Sequence, residues 1–270
     1  MQSKGIKNVV FGLFNQFITI AFGLVLPRMF IMSYGSEVNG LISSVNQLFV
    51  YVALLEAGIG TASLQALYKT IAAKDQDATN GVLSATNHFY KKTGFYYLIA
   101  VIALSFGYPL VVSSDIPFWT VFFVILFNGL GGVINYLFQG KFRIFLRAEG
   151  KNYLLSNLGT VIYIATSFSK IIFIKLGFNI VAIQVAHFLL TVAQMLYIVF
   201  YIKKQYKWID LSVKPDLKSI ASKNAVMVHQ VSNLIFSNTD VLILTVIDGL
   251  KSVSVYALYN SFFTIFLIGG

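Results

Sequence analysis

"FYYLIAVIALSFGYPLVVSSDIPFWTVFFVILFNGLGGVINYLFQ", residues 95–139, holds two apolar runs on either side of the short polar break "SDIP" at 114–117. Each run is about 20 residues long, the length an α-helix needs to cross the hydrocarbon core of a bilayer. A connection this short makes the two helices antiparallel neighbours, so the stretch is a transmembrane hairpin. Long uncharged runs of this kind are the signature of a polytopic helical membrane protein. The expected fold class is all-α, a polytopic membrane helical bundle.

The rest of the chain repeats the pattern. Apolar runs at 8–33, 39–68, 94–113, 117–139, 153–175, 179–202 and 221–247, with a last one from 253, read as spans. The loop "KLGFN" at 175–179 makes a second tight hairpin of the fifth and sixth. Composition agrees: 57% of residues are hydrophobic and 11% charged, with a mean hydropathy of +0.76. Soluble domains carry about 25% charged residues. The chain has no cysteine, which excludes disulfides, thiolate metal sites and thiol catalysis.

The net charge of +10 is a topology signal rather than a nucleic-acid footprint. With these spans, 16 of the 20 lysines and arginines fall on one side, and only Arg28, Lys170, Lys175 and Lys251 on the other. By the positive-inside rule the N-terminus is cytoplasmic, in a multi-pass protein of the cell membrane, and no nucleic acid is expected as a partner. The first span has no small-residue cleavage site after it and is no removable signal peptide. The basic interval 203–224, with Pro215, is the longest polar one. It divides the chain into a six-helix lobe (1–202), a cytoplasmic linker (203–220) and the start of a second lobe (221–270) of two helices. The last of these is incomplete at "FLIGG", so the chain is expected to belong to a longer protein.

The segment after the linker echoes the beginning. "PRMFIMSYGSEVNGL" (27–41) and "TDVLILTVIDGLKSVSVY" (239–256) both run from an apolar stretch through a glycine turn and a charge to an apolar restart. Transporters are commonly built from such repeats, with substrate sites at the repeat interface.

Polar residues recur at helical spacing on several spans. The second has Gly40, Ser44, Gln47 and Tyr51; the fourth Asn128, Gly132, Asn135 and Gln139; the fifth Ser156, Thr160, Tyr163, Ser167 and Lys170. The sixth has Gln184, His187, Thr191 and Gln194, and the seventh His229, Asn233, Ser237 and Asp240. Such stripes serve either as polar contacts between helices, worth about 0.6 kcal/mol each on average, or as the wall of a wet cavity. Five of them together favour the cavity. The third span is almost wholly apolar and is expected to face lipid. Arg28 and Lys170 either snorkel from span ends or face that cavity. Glu56, in "LLEAGIG", is an intramembrane carboxylate or a residue at a broken helix. Asp240 shares a face with His229 and Asn233.

These residues also carry a resemblance. "LPRMFIMSYGSEVNGLISSVNQLFVYVALLEAGIGTASLQALYK" (26–69) resembles the opening of bacterial polysaccharide repeat-unit flippases, the O-antigen and capsule type. The shared features are Pro27-Arg28 near the end of the first helix and Glu56, Gly58, Gly60 and Thr61 at the end of the second. "NTDVLILTVIDGLKSVSVYALYN" (238–260) is similar to their seventh helix and restart. The resemblance implies two six-helix lobes related to multidrug-and-toxin-extrusion (MATE-like) transporters, this chain being the first lobe and the beginning of the second. The implied activity moves an undecaprenyl-pyrophosphate-linked oligosaccharide from the cytoplasmic to the outer leaflet.

Arg28 and Lys170 would then meet the pyrophosphate. Asn128, Asn135, Gln139, Gln184, His187, Gln194, His229 and Asn233 would meet sugar hydroxyls, and Glu56 and Asp240 are candidates for ion coupling. Membrane lipid, a polysaccharide polymerase and other assembly proteins are the implied partners, with no cofactor, no metal and no catalytic residue. Two alternatives stay open: a cation-coupled multidrug exporter of the same superfamily, and a membrane-embedded polymerase or glycosyltransferase. The second fits poorly with such short outward loops. "DQD" at 75–77 reads as a helix start rather than a metal site. His88, His187 and His229 lack metal-ligand spacing.

Overall fold

The computed structural model describes residues 18–23, 25–56, 58–221 and 239–268, and every regular element among them is helical. In chain order these are α1 (Ile18–Tyr34), α2 (Ser36–Val52), α3 (Ile59–Ala72), α4 (Gln76–Val111), α5 (Phe118–Ile134), α6 (Gly140–Ala148), α7 (Asn152–Lys175), α8 (Ile180–Gln205), α9 (Asp240–Ile247) and α10 (Leu250–Ile268). Five stretches of described residues are helices long and apolar enough to cross a membrane: Ser36–Glu56, Gln76–Val111, Phe118–Ala148, Asn152–Lys175 and Ile180–Gln205. A multi-pass membrane protein requires this.

The chain reverses alternately at two ends. At the turn end lie Gly35, residues 112–117, residues 176–179 and Gly249. Cross-links join them, among them a hydrogen bond from the Tyr34 hydroxyl to the Phe178 carbonyl (2.5 Å). At the opposite, linker end, Lys151 and Glu149 meet Tyr206. There the hydrogen bond from Lys151 to the Tyr206 hydroxyl is the main influence raising the lysine pKa above its ordinary value.

Two span boundaries differ from those read in the sequence. The run 39–68 is not one helix: α2 ends in a 3-10 turn, Ala53–Glu56, and α3 starts afresh at Ile59. The third span begins at Gln76 rather than 94, with Asp75 capping it by accepting the Ala78 N–H (2.9 Å). At 1.5 Å per residue α4 is about 54 Å long, well beyond a hydrocarbon core of about 30 Å. That leaves its first turns in excess of what a span needs, and they dock the linker. The Asn80 side chain donates to the Trp208 carbonyl and accepts from the Asp210 N–H (both 3.1 Å), and the Ser84 hydroxyl donates to the Val213 carbonyl (2.7 Å). Ile220 is fully buried against Ala62 and Ala85.

Farther along, α4 exposes Phe95, Ile99, Ile102, Phe106 and Leu110, while Tyr97, Val101, Ser105 and Tyr108 are buried. Only half of the third span therefore faces outward, and the other half is core.

The fourth span continues beyond 139. A π-helical turn, Asn135–Gln139, joins α5 to α6, and the helix runs unbroken over Phe118–Ala148. The continuation is stabilised by Phe142, Ile144, Phe145 and Leu146, all buried; Lys141 is buried with them and donates to the Leu137 carbonyl (3.2 Å), while Arg143 is half-buried and Arg147 exposed. The wider π turn also shifts the helical phase beyond Asn135, so Gln139 does not line up with Asn128, Gly132 and Asn135 as a regular helix would align it.

The echo of the beginning is visible in the fold. Gly35 and Gly249 adopt φ of +85° and +84°, a left-handed conformation that glycine takes without steric cost. Each links two helices, and the second pair packs on α2. A Cβ on Gly40 would lie 1.8 Å from the Leu250 carbonyl oxygen, so the two backbones touch. The Ser44 hydroxyl accepts from Tyr108 and from Thr245 (both 2.8 Å), and Tyr51 meets Thr239 (2.9 Å). The second span's polar stripe is a helix–helix seam.

Candidate functional site

The break in the second span builds the site. Gly58 takes φ +85° to start α3, turning the chain so that the Glu56 carboxylate folds back over the new helix. The Gly60 N–H and the Tyr90 hydroxyl both donate to that carboxylate, the latter at 2.6 Å. A side chain at Gly60 would put its Cβ 2.4 Å from the Glu56 Oε1, so only glycine leaves the carboxylate this seat. The positive end of the α3 dipole favours an anion there.

Tyr90 comes from α4 and packs against the π turn. A Cβ on Gly140 would lie 2.5 Å from its ring, so that glycine admits the tyrosine. From the same turn Asn135 reaches the site, and one turn into α6 stand Arg143 and Arg147. Four residues apart, they share a helix face.

Together these residues line a cavity of about 420 Å³, with Glu56, Thr61, Tyr90, Asn135, Arg143 and Arg147 as its polar side chains and Leu64 and Ile144 on its apolar wall. Arg143 is half-buried and Arg147 exposed. Among the described residues neither guanidinium has an ion-pair partner within 4.0 Å. One carboxylate and two free guanidiniums leave the cavity with an excess of one positive charge. Guanidinium is the planar donor that grips phosphate or carboxylate in two-pronged fashion. Asn135 and Glu56 add acceptors for hydroxyls. The cavity is of a size that ordinarily holds a small-molecule group.

Of the residues singled out in the sequence, Glu56 and Asn135 meet here, with Glu56 at a broken helix. The others go elsewhere. Asn128 donates to the Asn46 side chain (3.0 Å) and ties α5 to α2. Gln139 is 1% exposed and Gln184 3%, the carbonyl oxygen of Gln139 having no partner among the described residues. His187 is half-buried with Nδ1 similarly unpaired, and Lys170 on α7 is near enough to act on it electrostatically. Gln194 is half-buried on α8. Arg28 is exposed on α1. Asp240 accepts from the Tyr256 hydroxyl (2.7 Å). His229 and Asn233 lie outside the described residues. Apart from Asn135, then, the placed stripe residues serve as seams and isolated polar groups and do not line this cavity. Among the described residues no group of His, Cys, Asp or Glu has the geometry to hold a metal ion.

No protein-family model, curated protein or solved structure matches the chain.

Sequence reading missed Arg143, Arg147 and Tyr90. A span ending at 139 leaves both arginines in a loop. A signal was present: in "GKFRIFLRA" the apolar residues Phe142, Phe145 and Ala148 recur at helical spacing, with the arginines four apart between them.

Proposed function

We propose that the chain is part of a transporter that moves an undecaprenyl-pyrophosphate-linked oligosaccharide across the cell membrane, and that the pyrophosphate is received by Arg143 and Arg147. The observation that carries this reading is the pair of unpaired guanidiniums converging on a cavity within a bundle of membrane-length helices. A pyrophosphate is a dense anion of the kind two such groups hold. The sugar beside it would find Asn135, Glu56 and Tyr90. The resemblance of residues 26–69 and 238–260 to polysaccharide flippases supports the same substrate class. Lys170 and Arg28, which the resemblance alone would place on the pyrophosphate, become secondary candidates because they lie outside the cavity. In this reading the basic linker end is cytoplasmic, so the cavity is filled from the side where the lipid-linked substrate is made.

One observation favours the related reading of a cation-coupled drug exporter: a carboxylate, Glu56, sits inside the same cavity. That reading expects a cationic substrate, which the two arginines would repel.

Loss of the protein distinguishes these readings. The expected result is that lipid-linked repeat units are made in full but accumulate facing the cytoplasm, with surface polysaccharide missing. Failure to make the repeat units at all would favour an enzyme of assembly, and unchanged surface polysaccharide would favour the exporter. Orientation has its own check. A cysteine replacing Lys214 should label only after the membrane is opened, and one replacing Ser114 from outside intact cells. External labelling at position 214 would overturn the orientation.

A further inference from the structure

Residues 34–39 tie together every turn at the turn end. The Tyr34 hydroxyl donates to the Phe178 carbonyl in the α7–α8 turn (2.5 Å). The Glu37 carboxylate accepts the Asp115 N–H of the α4–α5 turn (3.0 Å) and pairs through its other oxygen with Lys251, just after the α9–α10 turn (3.3 Å). The Asn39 side chain donates to the Ser254 hydroxyl (2.8 Å), a buried bond.

Two features mark this as more than packing. Glu37 and Lys251 each stand two residues after the left-handed glycine of their repeat, so the ion pair joins equivalent positions of the two echoed segments. The pair also reaches solvent through its lysine: the Lys251 side chain is 69% exposed, that of Glu37 19%. Ion pairs so exposed are weak, worth about 0.2–1 kcal/mol, and are easily exchanged for water. Directly beneath, Ser44 is fully buried with Tyr108 and Thr245 closing over it. By contrast, the cavity of Glu56, Arg143 and Arg147 is built from the far end of α2, about twenty residues away along the chain.

We propose that Tyr34, Glu37 and Asn39 form a releasable clasp that seals the turn end of the bundle over Ser44, and that this structure is the clasped state. Gly35 and Gly249 are the joints about which the two echoed helix pairs part when the clasp opens. The device concerns access from one end and does not depend on which substrate fills the cavity.

The chain's lack of native cysteine makes the test direct. A single cysteine replacing Ser44 is exposed to a hydrophilic maleimide in opened membranes, and its labelling rate is compared between backgrounds. Glu37→Ala is expected to raise the rate about 2- to 5-fold, the range that loss of an exposed ion pair allows. Tyr34→Phe should shift it in the same direction. The charge reversal Glu37→Lys with Lys251→Glu should return it towards the starting value, whereas Glu37→Lys alone should not. A cysteine replacing Ser63, fully buried near the linker end, is the control and should stay protected in every background. Unchanged labelling at position 44, or no recovery in the charge reversal, would overturn the clasp. A rise at positions 44 and 63 together would also overturn it, since these bonds would then be holding the fold and not one end of it.

Discussion

Replacing Arg143 and Arg147 together with alanine should abolish the accumulation of surface polysaccharide while leaving the protein in the membrane at its normal level. Each guanidinium is expected to supply a charge-assisted contact to the substrate anion, worth about 1.5–3 kcal/mol, or roughly a 10- to 100-fold loss of transport per arginine. Abundance should hold because neither arginine has an ion-pair partner among the described residues and Arg147 is exposed. Arginine-to-lysine replacements should recover part of the activity, since lysine keeps the charge and loses the two-pronged geometry. Lys170→Ala and Arg28→Ala, normalised to membrane abundance, should transport within about twofold of the parent, for neither lines the cavity. Normal polysaccharide in the double arginine variant would remove the cavity from the account.

Gly40→Ala should be the most destabilising single methyl added to the bundle. Its Cβ would meet the Leu250 carbonyl oxygen at 1.8 Å, and that atom is backbone, so α10 must move away from α2 as a body. Overpacking of this kind costs about 1–3 kcal/mol, and a rigid partner places it at the upper end. Movement of α10 would also stretch the Asn39–Ser254 bond and the Glu37–Lys251 pair. Gly159→Ala on α7 is the matched control: nothing lies within 4 Å of a Cβ there, and a helix interior gains about 1 kcal/mol from the exchange. Thermal unfolding in detergent should therefore separate the two variants in opposite directions from the parent. Equal stability of the two would mean that α2 and α10 do not pack in this way.

These expectations mark what a sequence can reveal of such a fold. The fifth and sixth spans were legible nearly to the residue: 153–175 and 179–202 were read, and α7 and α8 run Asn152–Lys175 and Ile180–Gln205. Long uncharged runs with short polar turns leave little choice in lipid. The break at Glu56–Gly58 was harder, because apolar residues continue on both sides and length alone permits one long helix. What breaks it is a left-handed glycine and a carboxylate that needs the Gly60 N–H and Tyr90, and the second of those partners is 34 residues away. The end of the fourth span was misread for the opposite reason. Charges at 141, 143 and 147 mark a loop in hydropathy, yet they sit on an amphipathic continuation of the same helix.

The site was legible in part. Glu56 and Asn135 stood out as polar residues in apolar surroundings. Arg143, Arg147 and Tyr90 did not, because their meaning depends on the packing of α4 against α6, which no local pattern encodes. Polar periodicity on α2 and α5 located real faces, and Ser44, Tyr51 and Asn128 all make bonds. Periodicity identifies a face without saying whether water or another helix lies opposite, and here the opposite partner was a helix. The glycine echo was the more informative pattern, since Gly35 and Gly249 share a positive φ and a place between two helices.

Binding of undecaprenyl pyrophosphate to the purified chain in detergent, followed by native mass spectrometry, addresses the cavity most directly. The parent protein and Lys170→Ala should both bind the lipid, the double variant Arg143→Ala with Arg147→Ala should bind it at least about tenfold more weakly, and undecaprenol without its phosphates should bind to none of them. Undiminished binding by the double arginine variant, or a loss that appears with Lys170→Ala instead, would contradict the assignment of the anion to the cavity of Glu56, Arg143 and Arg147.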